Sequence, residues 1–442
     1  MTTPILICLI GIIAFIVLMF FGIPVPISMA LVGTIGFAII RSPAAALQMV
    51  IGEVTANFSK YTMSVAPMFA MMGFLAYYSG LGARLFNACE KCVGHWRGGM
   101  AMATTVACAC FGAICGSGPA TIGTMSAVAY PEMKKAGYKP AVSCCPIAVG
   151  ASISVLIPPS LTFVIYGNAC ETSVGRLFLS GVFPGILLTI FTIIAIAITC
   201  KVDPSAAPKT QKYSWKERWE SIRKGGLIEV AIVFAISIGG LFTGLFAATE
   251  AGAVGSFGML LICIIRKTIN WDGFLKACLD TAKLSAMVFI LLSCAAIFSR
   301  FIAISTVSNA IGKFIAGLNA PGWVILVIVL GFLTIAGMLT DVLSIVLLLI
   351  PVIFPILMDY YGYDTVWFGN LVILMLCIGG LTPPVGVTIF ITKGCIKDPD
   401  APLSQIFAGI WPYLGGCVII IILLILFPGI ALWLPNLVYG AA

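Results

Sequence analysis

Apolar residues fall in runs long enough to cross a bilayer, and the polar positions collect between them. In the first half the runs cover Ile5–Phe21, Pro26–Ile40, Met63–Tyr78, Ala141–Tyr166 and Gly181–Cys200. In the second half they cover Leu227–Gly244, Ala251–Ile265, Ser285–Phe298, Phe368–Thr392 and Gly409–Trp433. At about 20 apolar residues per spanning helix, the pattern predicts about 10 transmembrane helices. Residues 41–60 are mixed and read as interfacial. Residues 80–98 are polar and basic, with Arg84, Lys91 and Arg97, and read as an amphipathic surface helix anchored by Trp96. A similar stretch surrounds Trp271, and residues 300–320 read as a second surface arm.

Two stretches break the pattern. Gly112–Gly137 is interrupted at Gly116-Ser117-Gly118-Pro119, and Gly331–Gly362 at Gly337-Met338-Leu339-Thr340-Asp341. The apolar arms on either side are short, in the range of about 10–14 residues that marks re-entrant segments. Backbone freed at such a break is tolerated in a membrane only against protein or a polar cavity. Each stretch therefore predicts a helical hairpin that dips in and returns. Two long segments carry proline pairs, at Ile157-Pro158-Pro159-Ser160 and at Gly379-Gly380-Leu381-Thr382-Pro383-Pro384. Proline lacks the amide donor and clashes with the preceding turn, so each segment should be a broken helix.

The two halves repeat one plan. Val32-Gly33-Thr34-Ile35-Gly36 recurs as Val254-Gly255-Ser256-Phe257-Gly258, and Gly137-Tyr138 as Gly362-Tyr363. Pro158-Pro159 recurs as Pro383-Pro384. Ser180-Gly181-Val182-Phe183-Pro184 recurs as Ala408-Gly409-Ile410-Trp411-Pro412. The order is kept throughout, which is the mark of an internally duplicated transporter. Residues 1–200 form the first repeat, 201–226 a basic linker, and 227–442 the second repeat.

Loop charge sets the orientation. With the linker placed in the cytoplasm, the basic loops at 80–98, 131–140, 266–267 and 393–397 fall on the same side. The loop at 358–365, with Asp359 and Asp364 and no Lys or Arg, falls outside with both termini. An odd number of crossings per half inverts the second repeat. The fold class is thus an all-α polytopic membrane protein with inverted structural repeats and two re-entrant hairpins that enter from opposite sides.

Composition agrees. Hydrophobic residues make up 61% of 442 and charged residues 9%, against about 25% charged in soluble domains. The net charge of +8 lies in short loops and is a topology signal, not a nucleic-acid footprint. Most of the 16 cysteines sit in apolar helices and read as small hydrophobes. Cys89-Glu90-Lys91-Cys92 has no second ligand pair at zinc spacing. His95 is the single histidine, which argues against a membrane enzyme. The N-terminus lacks a basic signal-peptide region, so the first run should stay as a helix.

Candidate chemistry gathers at the four breaks. Half-helix N-termini favour anions, and unwound carbonyls suit cations. Ser117, Thr121 and Ser160 offer hydroxyls in the first half, and Thr340, Asp341, Ser344 and Thr382 polar groups in the second. A membrane hydroxyl also has a plain reading, a bond to the preceding turn or helix packing. Asp341 is set apart because a carboxylate in the bilayer is costly and functional by default; the alternatives are a structural pairing or a tip in water. Glu250 reads as a scaffold or interface group, and Arg300 as a side chain that snorkels to the surface.

Gly-Ser-Gly-Pro-Ala-Thr (116–121), Pro-Glu-Met-Lys-Lys-Ala-Gly-Tyr (131–138), Ser-Val-Leu-Ile-Pro-Pro-Ser (154–160), Ala248-Thr249-Glu250-Ala251 and Gly-Leu-Thr-Pro-Pro-Val-Gly (380–386) resemble the large membrane subunit of TRAP transporters, the DctM family, over essentially the whole chain. The resemblance implies an elevator-type ion transporter fold and Na⁺-coupled import of a small organic acid such as a C4-dicarboxylate or sialic acid, with Na⁺ as coupling ion and no cofactor. It implies a small four-helix membrane subunit (DctQ-like) and a periplasmic substrate-binding protein (DctP-like) as partners, in a bacterial inner membrane. Sodium sites are implied at Gly116, Ser117, Ser154, Ile157 and Pro158, and at Gly337, Gly379 and Thr382. Substrate would lie near Ser117, Thr121, Ser160 and Asp341. Ala120 offers no side-chain oxygen at the first tip, so ligation there would use carbonyls. The alternative reading is a stand-alone Na⁺- or H⁺-coupled dicarboxylate or citrate symporter.

Overall fold

The computed structural model describes residues 3–209, 211–307, 310 and 321–440. All regular structure among them is helical. The first half contains α1 (Thr3–Phe20), α2 (Val25–Ile40), α3 (Pro43–Ser59), α4 (Val65–Tyr78), α5 (Leu81–Val93), α6 (Gly99–Cys115), α7 (Gly118–Lys135), α8 (Pro140–Leu156), α9 (Leu161–Ala169) and α10 (Val174–Val202). After α11 (Trp215–Lys224) come α12 (Leu227–Phe242), α13 (Ala248–Ile265), α14 (Trp271–Ser305), α15 (Gly322–Leu339), α16 (Val342–Tyr361), α17 (Thr365–Leu381) and α18 (Val387–Ile396). The chain closes with α19 (Leu403–Gly409), α20 (Trp411–Leu426) and α21 (Gly429–Tyr439).

Among the described residues, five helices are long and apolar enough to cross a membrane, and up to nine spans result if each sharply bent pair counts as one. Several boundaries differ from the sequence expectation. Residues 41–60, read as interfacial, contain helix α3, which Ser42 caps by accepting from the Ala45 amide at 3.3 Å. The segment read as Gly181–Cys200 begins seven residues earlier, at Val174, where Ser173 caps it. The surface stretch at Trp271 is the first turn of α14, which runs unbroken through the expected span Ser285–Phe298. The linker holds α11, closed by a Ser214–Glu217 capping box. Most of the expected arm at 300–320 lies outside the described residues.

The hairpin arms are also longer than expected, 17 and 18 residues in α6 and α7, and 18 and 20 in α15 and α16. Helix α6 begins at Gly99, after Gly98 in the left-handed region at φ +75°; Thr104 and Thr105, the polar positions that obscure its run, return their hydroxyls to Met100 and Ala101 carbonyls at 2.8 and 3.1 Å. Helix α7 continues through Pro131 into a charged final turn.

Packing divides the helices into two groups. In one, α4 and α14 cross each other, α2 packs on α14, and α13 packs on α4. Glycine permits this approach: a Cβ on Gly33 would stand 3.0 Å from the Phe298 backbone. In the other group α8 and α17 are central. Every residue from Val142 to Leu156 is buried, as is nearly every residue from Val366 to Leu381. A helix apolar on all sides belongs inside protein. Around them α6 and α7 pack on α8, and α15 and α16 on α17. The groups interlock crosswise, with α7 against α18 and α9 against α16.

Candidate functional site at the helix breaks

The first hairpin turns at Gly116, whose φ of +57° only glycine adopts freely. Ser117 then caps α7, its hydroxyl 3.5 Å from the Ala120 amide. The facing helix α8 stops at Leu156, before Pro158-Pro159, whose peptide bond is cis. Ser160 restarts the chain by capping α9, accepting from the Phe163 amide at 3.4 Å. Tip and break touch directly: the Leu161 amide donates to the Gly116 carbonyl at 3.4 Å. A Cβ on Gly116 would meet the Pro159 carbonyl oxygen at 2.2 Å. The N-termini of α7 and α9 thus start side by side, and their free amides and dipole ends favour an anion there.

Ser154 fastens the hairpin lower down. Its hydroxyl is 2.8 Å from the Gly150 carbonyl and 3.1 Å from that of Cys108 on α6. The Cβ of Ser154 would be 2.6 Å from one built on Gly112. Thr121 is fully buried, and its hydroxyl donates to the Ser117 carbonyl at 3.0 Å. That carbonyl also accepts the Thr121 amide at 3.1 Å.

The second hairpin turns at Thr340 in extended backbone, and Asp341 caps α16. Its carboxylate accepts from the Ser344 amide at 3.1 Å and from the Ser344 hydroxyl at 2.6 Å. Asp341 itself is exposed. Gly337 and Gly379 bring α15 and α17 together. Helix α17 ends where Thr382 donates its amide to Gly379 at 2.9 Å and its hydroxyl to Ile378 at 2.6 Å. The Pro383-Pro384 bond is cis, and Gly386 opens α18 at φ +59°.

Of the residues singled out by sequence, the structure brings Gly116 to Pro159 and Ser160, sets Ser154 beside Gly112, and sets Gly337 on Gly379. Among the described residues no hydrogen bond joins Asp341 to Ser117 or Ser160, although α9 and α16, which Ser160 and Asp341 cap, are packed together. The hydroxyls of Ser154, Thr121 and Thr382 bond to backbone carbonyls. Glu250 caps its own helix by accepting from the Ala247 amide at 2.9 Å. The Arg300 side chain is exposed and pairs with Glu53 on α3, its Nε at 2.5 Å.

Sequence reasoning missed three contacts that frame the site. Asn370, fully buried in α17, donates to the Ser180 hydroxyl on α10 at 2.6 Å. The Tyr166 hydroxyl donates to the Thr365 carbonyl at 2.9 Å and ties the end of α9 to the start of α17. Beyond α18, Asp398 accepts from the Tyr130 hydroxyl at 2.6 Å and from Lys134 at 2.5 Å. Lys134 also reaches Asp400 at 2.9 Å. The Lys134 ammonium first, then the Tyr130 hydroxyl, hold the Asp398 carboxyl well below the usual carboxylate range. A lone Asn in an apolar run is the signal that could have found the first of these.

Two broken helices, each seating a hairpin and buried in an all-helical protein, are the architecture of a membrane transport protein. Solved structures with this fold include the Alcanivorax borkumensis YdaH transporter, at a TM-score of 0.61 and 14% identity over 88% of this chain and 90% of that one. Neisseria gonorrhoeae MtrF is similar at a TM-score of 0.60 and 14% identity, over 90% and 86%. Sequence carries the assignment further. Residues 12–430 match the family of the tripartite ATP-independent periplasmic transporter, DctM component, and the chain belongs to that family.

Its relatives are transporter permeases, not enzymes. The chain is 31% identical to the C4-dicarboxylate TRAP transporter large permease protein DctM of Pseudomonas aeruginosa, over 85% of this chain and 86% of that protein. It is 32% identical to the ectoine TRAP transporter large permease protein TeaC of Halomonas elongata, over 96% and 97%. It is 28% identical to the sialic acid TRAP transporter large permease protein SiaM of Vibrio cholerae, over 96% and 97%. The protein is a multi-pass membrane permease subunit of this family.

Proposed function

We propose that the chain is the large permease of a Na⁺-coupled importer for a small organic acid, delivered by a periplasmic binding protein, and that it works with a small four-helix membrane subunit in a bacterial inner membrane. The contact between the Leu161 amide and the Gly116 carbonyl carries this reading, because it places a hairpin tip, a helix break and two helix N-termini at one point. Backbone carbonyls at the tip, with Gly116, Ser117, Ser154, Ile157 and Pro158 around them, suit Na⁺. Gly337, Gly379 and Thr382 suit a second ion. The paired N-termini of α7 and α9, capped by Ser117 and Ser160, suit a substrate carboxylate.

Coupling follows if Na⁺ orders the tips and so prearranges the amides that meet the anion. The helices around α8 and α17 would move as one body against the α2–α4 and α12–α14 group, an elevator cycle between inverted halves with both termini periplasmic. The substrates named for the relatives include C4-dicarboxylates, sialic acid, ectoine and isethionate; the first three carry a carboxylate and the last a sulfonate, so an anionic acid group is what they share. Radiolabelled uptake into proteoliposomes tests the reading, with a panel of organic acids, with and without an inward Na⁺ gradient, and with and without the candidate small subunit and binding protein. Uptake is expected only with Na⁺ and both partners. Equal uptake without Na⁺ overturns the coupling, and equal uptake without partners favours a stand-alone symporter.

A further inference from the structure

A cavity of about 540 Å³ lies away from the helix breaks, between α5, α6, α11 and α12. Leu85 and Cys92 of α5, Cys110 of α6, Ile222 of α11, and Ala231 and Phe234 of α12 line it. An almost wholly apolar wall has nothing to offer an organic anion or a cation. Its roof consists of two surface helices. Helix α5 leaves the membrane helix before it at a bend of 68°, and α11 meets α12 at 59°. The two lie against each other.

The roof is two-faced. Below it are Leu85, Cys92 and Ile222. Above it, a polar cleft is edged by the cations Arg84, Lys91 and Lys224 and by the carboxylates Glu217 and Glu220, of which Glu220 pairs with Lys224. Together α5 and α11 carry six cations, Arg84, Lys91, Lys216, Arg218, Arg223 and Lys224, against three carboxylates, Glu90, Glu217 and Glu220. The Arg84 Nε is buried with no hydrogen-bond partner among the described residues.

We propose that this cavity holds one acyl chain of an anionic bilayer phospholipid, whose headgroup lies against the basic edge formed by Arg84, Lys91 and Lys224. The wall chemistry selects hydrocarbon, because burial of each methylene is favourable and nothing polar competes. The depth fits, because amphipathic surface helices sit at the boundary of headgroup and acyl chain. The excess positive charge above complements an anionic headgroup. The chain would touch both α6, an arm of the first hairpin, and α12, the first helix of the second half.

The test uses the full-length protein in nanodiscs containing a phosphatidylglycerol with a photoactivatable diazirine in its acyl chain, and maps crosslinked peptides by mass spectrometry. Labelling is expected on the peptides bearing Cys92, Cys110 and Phe234. Ala231→Trp fills the cavity from one wall and Cys110→Phe from the other, and gel filtration reports whether each stays folded. Labelling should fall about tenfold in either, equivalent to lost contact with about two methylenes. Lys91→Ala with Lys224→Ala should remove the preference for this probe over a phosphatidylcholine analogue. Undiminished labelling in a folded cavity-filling variant, or equal labelling of the wild type by both probes, overturns the proposal.

Discussion

Gly379 lies so close to Gly337 that a Cβ on Gly379 would stand 2.8 Å from the Gly337 Cα and 2.3 Å from the Thr334 carbonyl oxygen. Both obstacles are backbone, which no rotamer change can move. Gly379→Ala should therefore push α15 off α17 at a cost of about 1–3 kcal/mol, the usual range for overpacking. The thermal midpoint in detergent should fall, and uptake should fall with it because the tip is displaced. By contrast, Gly331→Ala on α15, the helix that carries Gly337, meets nothing within 4 Å and should leave both unchanged. Equal midpoints for the two variants would show that the close approach is not required.

The breaks were legible in sequence because Gly and Pro act on their own backbone. Gly116 needs its positive φ and Pro158-Pro159 ends α8 whatever the rest of the chain does. The arms were not legible in the same way. Thr104 and Thr105 look polar in a hydropathy pattern, yet each satisfies itself one turn back and leaves α6 an apolar exterior. Pairings across the chain were hidden for another reason. Arg300 and Glu53, or Asn370 and Ser180, meet only once helices distant in sequence are packed. Capping lay between these extremes. Asp341 and Ser344 stand at the spacing of an N-cap and its third helical residue, but the membrane setting drew attention to the charge first.

Asn370 and Ser180 give a measurable coupling between α17 and α10. The Asn370 amide keeps the Val366 carbonyl at 3.1 Å if the hydroxyl is removed, so Ser180→Ala should be mild. A double-mutant cycle with Asn370→Ala should return about 0.6 kcal/mol, and not more than about 1.7, the range found for hydrogen bonds between membrane helices. Unfolding of the purified protein in mixed micelles supplies the four free energies. A coupling of zero would mean the contact contributes no stability.

Asp398 makes stability depend on pH in a defined direction. Its folded pKa is depressed by Lys134 and Tyr130. Asp203 is likewise held down, at about 2, chiefly by Lys139. A depressed carboxylate contributes stability that is complete above its unfolded value, about 3.9, and is lost as pH falls through the folded value. Wild type and Lys134→Ala should differ by a constant amount from neutral pH down to about pH 4, then converge in stronger acid. Thermal midpoints followed by tryptophan fluorescence across that range are the measurement. A gap that widens on acidification would reverse the sign and remove Lys134 as the cause.

Asp341 separates capping from charge. Asparagine caps a helix about as well as aspartate, whereas alanine costs about 1 kcal/mol. Asp341→Ala should therefore lower the thermal midpoint slightly, and Asp341→Asn should not. If the carboxylate acts in transport, both variants should lose Na⁺-driven uptake while inserting in the membrane at wild-type levels. The proteoliposome assay, read beside membrane abundance and the thermal midpoint, distinguishes the roles. Full uptake by Asp341→Asn with loss only in Asp341→Ala would reduce the residue to a helix cap, and the negative charge at the second tip would then have no part in binding the ion or the acid.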